Sequence, residues 1–164
     1  KSLFCFRGGD VIFIHGEYLW SWGYNAGTLG YEQKEEAIQD ESSSEDELFN
    51  YNSTNSHHQI TPRQVIGLED VKIVSVGTNT FTSLFVDSDG DVYFCGIDPL
   101  TFLGENLTSI LPKKMERFAN IVSIFSGASF SFFIDSEENV WGYGMNGHGQ
   151  LGLGYAESSS ILTL

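Results

Sequence analysis

The sequence is short of positive charge. Eight Lys and Arg stand against 22 Asp and Glu in 164 residues, for a net charge of −14. Phosphate backbones are bound by clustered Lys and Arg that release counterions. No direct nucleic-acid partner is therefore expected, and anionic membrane is equally unfavourable; a basic protein surface suits this field better. Proline is scarce, at 3 residues, and cysteine scarcer, at 2. Cys5 and Cys95 each lie in an apolar stretch, and no Cys-x-x-Cys occurs. Such a pair makes neither a disulfide framework nor a zinc site, and reads as two reduced, buried thiols in a cytoplasmic or nuclear protein. No apolar run approaches the roughly 18 residues of a spanning helix, so no membrane span is expected. The chain opens on Lys1 without an initiator Met, and the expectation is a fragment of a longer protein.

Reactive motifs are missing too. There is no Gly-Lys-Ser/Thr and no Gly-x-Ser-x-Gly, hence no P-loop and no nucleophile elbow. Gly147-His148-Gly149-Gln150-Leu151-Gly152 fits a Gly-x-Gly-x-x-Gly pattern. No helical periodicity follows it, so it reads as a loop and not as a dinucleotide site. Asp87, Asp89 and Asp91 alternate like calcium ligands, but Gly90 precedes the third acid and Asp98 stands where the loop needs Glu, which favours a hairpin turn. His15, His57, His58 and His148 have no nucleophile or metal-ligand spacing around them. Asn52-Ser53-Thr54 and Asn106-Leu107-Thr108 are sequons without a secretory signal. No catalytic, metal or cofactor residue is assigned, and the chain is read as a non-enzyme.

What the chain has in quantity is aromatic residues and glycine: 13 Phe, 7 Tyr, 3 Trp and 18 Gly. They are arranged in repeats. Residues 73–96, IVSVGTNTFTSLFVDSDGDVYFCG, align without a gap to 121–144, IVSIFSGASFSFFIDSEENVWGYG, with nine of 24 positions identical; chance gives roughly one or two. Each copy reads as a hairpin: a strand apolar on both faces, an acidic turn, and a second strand that ends on Gly. Residues 13–23, FIHGEYLWSWG, form a third copy with a shorter turn. The aromatics Phe125, Phe130, Phe132, Phe133, Trp141 and Tyr143 are read as core between such units. Trp141→Ala is expected to cost about 3–5 kcal/mol.

After each hairpin comes a loop: GYNAGTLG (23–30), GIDPLTFLG (96–104) and GMNGHGQLGLG (144–154). Asn or Asp stands two places after the first Gly, and Leu-Gly closes the loop. Asn and Asp favour such turns because they bond nearby backbone. The Leu reads as an anchor into the core. Pro62-Arg63-Gln64-Val65 and Pro112-Lys113-Lys114-Met115 follow as a proline entry to a further strand.

The succession aromatic-x-Trp-Gly-x-Asn-x-x-Gly-Gln-Leu-Gly, then Pro-x-x-Val, then Ile-x-x-Gly, resembles the repeat of the regulator-of-chromosome-condensation (RCC1) family. The structural repeat positions are Trp22, Gly23, Asn25, Gly30, Gly96, Gly104, Gly127, Trp141, Gly144, Asn146, Gly149 and Gly152. The middle copy departs most: Asp98 replaces Asn, Thr101 and Phe102 replace Gly-Gln, and Asn79 takes the place of Gly127. The chain is thus similar to a diverged member. The resemblance implies an all-β fold, a part of a seven-bladed propeller with four-stranded blades. Repeat units are expected at about 1–23, 24–96, 97–144 and 145–164. It further implies a protein–protein interaction module, as scaffold, substrate receptor or regulatory domain. The other function it implies is guanine nucleotide exchange on a small GTPase, in a chromatin setting. The partners implied are a small GTPase, a ubiquitin-system component or a basic protein.

One stretch breaks the period. Residues 31–60 hold eight acids and one Lys, a charge of −7, and read as a flexible acidic insert within the first full repeat. Ser42, Ser43 and Ser44 each have an acid three places on, the spacing of casein kinase II acceptor sites.

Overall fold

The computed structural model describes residues 3–7, 10–24, 28–31, 58–97, 108–156 and 159–163. Among the described residues there are strands and turns but no helix. Twelve strands form three four-stranded antiparallel sheets, each built from strands consecutive in the chain. Blade 1 comprises β1 (Leu3–Arg7), β2 (Asp10–His15), β3 (Tyr18–Tyr24) and β4 (His58–Gln64). Blade 2 comprises β5 (Ile73–Thr78), β6 (Thr82–Asp87), β7 (Val92–Ile97) and β8 (Thr108–Lys114). Blade 3 comprises β9 (Ile121–Ser126), β10 (Phe130–Asp135), β11 (Val140–Gly144) and β12 (Ser159–Thr163). The acidic insert, apart from its ends, lies outside the described residues, as do Ser42–Ser44, Asn25, Gly104 and both sequon asparagines.

The repeated hairpins fold alike. Phe85 faces Tyr93 across β6 and β7, and Phe133 faces Trp141 across β10 and β11. Their turns close in the same way. The Asp87 carboxylate accepts the N–H groups of Asp89 and Asp91, and that of Asp135 accepts those of Glu137 and Asn139. This side-chain mimicry of a backbone turn explains why Asp begins both turns.

The blades pack face to face through the apolar residues of their strands. Between blades 1 and 2 lie Ile12, Leu19, Val65, Val76, Phe85 and Cys95. Between blades 2 and 3 lie Leu84, Val92, Phe94, Ile124, Phe133 and Tyr143. Phe118 stacks on Phe133 at 4.1 Å and meets Tyr143 edge-on at 5.7 Å, geometries that aromatic pairs prefer. The first strands β1, β5 and β9 lie side by side. Hydrogen bonds stitch this seam: Ile124 N–H to Ser75 Oγ at 3.1 Å, and both Thr80 N–H and its hydroxyl to the Ala128 carbonyl. β6 is buried along its whole length because sheets cover both its faces; β10 alternates, because only one face is covered.

Three expectations need correction. Phe125 is not part of the core between the described blades: it is 59% exposed, on the face of β9 turned away from blade 2. Trp141 is only partly buried, and its indole N–H is held by the Asp135 carboxylate at 2.9 Å. Pro62 and Pro112 do not open their strands. They lie late in β4 and β8, within segments left unpaired by a register shift against β3 and β7. Edge-strand bulges are where a residue without an N–H removes no ladder bond.

Candidate protein-docking face

The two ends of the blades differ in construction. At one end the long β3–β4, β7–β8 and β11–β12 connections emerge. Of these, the loop at 145–155 is described throughout. Asn146 is fully buried and organises it: Oδ1 accepts the Leu151 N–H at 2.9 Å, and Nδ2 donates to the Tyr155 carbonyl at 2.8 Å. Gly149 and Gly152 make the turns within it. Leu151 is fully buried and lies over Gly142. In blade 1 the same positions are Leu29, buried, and Ser21, whose hydroxyl bonds the Leu29 carbonyl at 2.6 Å. Thr28 and Gly30 then reach toward blade 2. The Thr28 carbonyl accepts the Cys95 thiol at 3.0 Å, and a Cβ on Gly30 would meet Val65 and Pro112.

Of the remaining repeat positions, Trp22 and Gly23 lie half-buried in β3, and Gly127 turns the chain between β9 and β10. Gly96 and Gly144 close β7 and β11. Both have positive φ (102° and 110°), and a Cβ would come 2.1 Å from the Phe81 carbonyl oxygen or 2.5 Å from that of Ser129. No side chain fits there. These positions build the blades, and none presents a reactive group.

The opposite end collects the tight turns and the sheet-to-sheet links. Hydrogen bonds place them together: Ser88 N–H to Lys72 O, Ile121 N–H to Gly90 O, Ser136 N–H to Asn120 O and Val65 N–H to Leu19 O. The turns and links here carry carboxylates. Asp87 and Asp135 fold inward as turn caps, the latter also taking Asn139 Nδ2 and Trp141 Nε1. These bonds, that of the Asn139 amide foremost, hold the Asp135 carboxyl below the usual carboxylate range. Asp91 pairs with Lys114 at 2.6 Å, and this bond raises the lysine. The other acids stand in solvent: Glu17 in blade 1, Glu69 and Asp70 in the first link, Asp89 in blade 2, Glu116 in the second link, Glu137 and Glu138 in blade 3. Lys72, Lys114 and Arg117 are the cations nearest this end among the described residues, with Arg63 and Lys113 at equivalent places in β4 and β8. Arg117 lies against the Tyr143 ring, 5.9 Å from its centroid.

Chemically this end can attract and orient cations. Among the described residues no three His, Cys, Asp or Glu gather in a way that could hold a metal ion, and no helix is long and apolar enough to cross a membrane. Reading the sequence for catalytic spacing missed these turn acids. The signal was there in the recurrence of acids between strands, as in Glu69-Asp70, Asp89/Asp91 and Glu137-Glu138.

Residues 121–150 match the Regulator of chromosome condensation (RCC1) repeat. The whole arrangement superposes on Prp20p of Saccharomyces cerevisiae with a TM-score of 0.73 at 17% identity, covering 98% of this chain and 37% of that one. These are blades of the RCC1 type. Human WBSCR16 has the same fold, with a TM-score of 0.67 at 17% identity over 95% of this chain and 37% of that one. In sequence, a bifunctional serine/threonine-protein kinase/NEDD4-like E3 ubiquitin-protein ligase of Dictyostelium discoideum is 34% identical over an alignment of 100 residues that covers 57% of this chain and 5% of that protein. The chain thus spans a small part of that relative and little more than a third of each of the two structures. Three RCC1-type blades, with the Gly144-Met145-Asn146 loop at one end of the third and acidic turns at the opposite end of all three, are what the described residues build.

Proposed function

We propose that the chain is a protein–protein interaction module, a scaffold, substrate-receptor or regulatory propeller domain, that offers its turn end to a basic protein surface. One observation carries this reading: the turns and links of all three blades put carboxylates into solvent, while the acids that are neutralised or consumed there are Asp87, Asp91 and Asp135. Such a field speeds encounter with a cationic partner and rejects an anionic one. The acidic stretch at 31–60 adds −7, and phosphate on Ser42, Ser43 or Ser44 would deepen it. The Prp20p structure was reported with that protein's binding to Gsp1p and histones, which supports a basic protein as partner. A cytoplasmic or nuclear setting accords with this reading, and the kinase and ubiquitin-ligase relative keeps a ubiquitin-system component among the candidate partners.

A second reading is nucleotide exchange on a small GTPase, favoured by the Gsp1p binding reported for Prp20p. Exchange works by differential binding, without covalent chemistry, so the absence of a nucleophile does not weigh against it. No residue of this chain matches a motif specific to exchange.

The test is fluorescence anisotropy with a labelled Arg- and Lys-rich peptide. Affinity is expected to fall steeply as salt rises past the range where the screening length drops below about 10 Å. It is also expected to fall about tenfold or more in the combined variant Asp89→Asn, Glu116→Gln, Glu137→Gln, Glu138→Gln. Salt-independent binding, or an unaffected variant, overturns the basic-partner reading. Accelerated nucleotide release from one member of a GTPase panel would establish the exchange reading instead.

A further inference from the structure

Blade 1 breaks the rule of its own repeat at the turn end. The three hairpins close on equivalent residue pairs: His15 faces Tyr18 in blade 1, Asp87 faces Asp91 in blade 2, and Asp135 faces Asn139 in blade 3. Where blades 2 and 3 carry Asp91 and Asn139, both tied into polar bonds, blade 1 carries Tyr18, which is 54% exposed. The turn-capping Asp is itself replaced by His15.

The neighbouring link departs in the same sense. Val65 N–H bonds the Leu19 carbonyl at 2.9 Å, as Met115 N–H bonds the Val92 carbonyl at 2.7 Å. The residue that follows is Glu116 in blade 2 but Ile66 in blade 1, where it is 49% exposed. The Val65–Leu19 bond brings the chain at Ile66 and at Tyr18 to the same turn end of blade 1, and the Ile66 N–H is taken by the Gly30 carbonyl at 3.0 Å. Two positions that are polar in the sister blade are therefore large and apolar here, and both face water, where apolar surface is unfavourable.

Charge surrounds the pair. Glu17 precedes Tyr18. The Glu69 carboxylate is pinned next to Ile66 by the Gly67 N–H, at 3.0 and 2.9 Å from its two oxygens, and this bond lowers the carboxyl from its ordinary value. Asp70 follows.

From this we infer that Tyr18 and Ile66 form the anchor point of the turn end, for a protein segment carrying a bulky apolar side chain next to Arg or Lys. The apolar residue lies on Ile66 and the Tyr18 ring, and the cation meets Glu17 and Glu69 or the ring face. Tyr is well suited to this, as it offers a rigid apolar surface and cation–π attraction together. The inference rests on the basic-partner reading above and localises it to blade 1.

The probes are three fluorescein-labelled hexapeptides: Arg-Arg-Leu-Phe-Arg-Arg, Arg-Arg-Ser-Ser-Arg-Arg and Glu-Glu-Leu-Phe-Glu-Glu. The expected result is preference for the first, reduced about tenfold or more by Tyr18→Asn with Ile66→Gln, which removes both large side chains without adding charge. Tyr18→Asn, the residue of blade 3, should reduce it in part and settles the matter if the double variant loses its folded melting transition. Equal binding of the first two peptides overturns the anchor and leaves the acidic end standing. Binding of the third as tightly as the first overturns the charge component. Binding of neither basic peptide removes both this inference and the reading beneath it.

Discussion

Asn146 has no exposed atom, yet it decides the path of the loop at 145–155 by joining the Leu151 N–H to the Tyr155 carbonyl. Asn146→Ala leaves both groups without this partner in a buried site and should lower stability by about 1–3 kcal/mol, read from denaturant midpoints. Asp135 offers a different measurement. Its carboxyl is held below the usual range by the Asn139 amide, the Trp141 indole and backbone N–H groups. The folded form thus gains stability when the group is ionised. That gain is present above the ordinary carboxylate pKa and disappears as pH falls through the lower, folded value. Asp135→Asn should therefore be less stable than the parent at about pH 7, and the gap should close as the pH drops below the usual carboxylate range of about 4. Melting curves against pH check this, and a gap that stays constant would show that the charge plays no part. Trp141 belongs to the same cluster. Because it is only partly buried, its truncation falls below the about 3–5 kcal/mol of a fully enclosed tryptophan.

At the scale of the element, the connection between β3 and β4 is where blade 1 carries its acidic insert. Both strands pair with the same bulged register as β7 with β8, and loop closure depends only weakly on length. Deleting residues 33–57 should leave the melting temperature within a few degrees of the parent; an insoluble or unfolded product would show that these residues hold the blade together. Hairpins were the legible part of the sequence, because identical turn chemistry recurs at Asp87 and Asp135 and short strands apolar on both faces precede it. The fourth strand of each blade was less so. Thr108–Lys114 is mostly exposed, so no buried face imprints a pattern on it, and its proline falls in a bulge. Phe125 misled for a related reason: its counterpart in the aligned copy is Gly77, which is buried against Ile124 and Ser126 of the next sheet, so equivalent places in β5 and β9 meet different surroundings among the described residues. The repeat alignment already sets Tyr18 against Asp91 and Ile66 against Glu116; what it does not carry is that both side chains are about half exposed.

At the scale of the molecule, cohesion lies between sheets. Each buried cluster draws residues from two blades, and the seam bonds at Ser75, Thr80 and Gly90 run from one sheet to the next. In such a one-dimensional stack a sheet is held by its neighbours, so that opening one blade loosens the next. Cys95 sits inside the first of these seams, fully enclosed, with its sulfhydryl on the Thr28 carbonyl, and burial pushes the thiol well above its ordinary value. A thiolate is the species that alkylating reagents attack, so this sulfur is inert while sheets one and two stay together. In a Cys5→Ser background, the rate of iodoacetamide capture at Cys95 becomes a clock for their separation, one that a bound partner spanning the two sheets would slow.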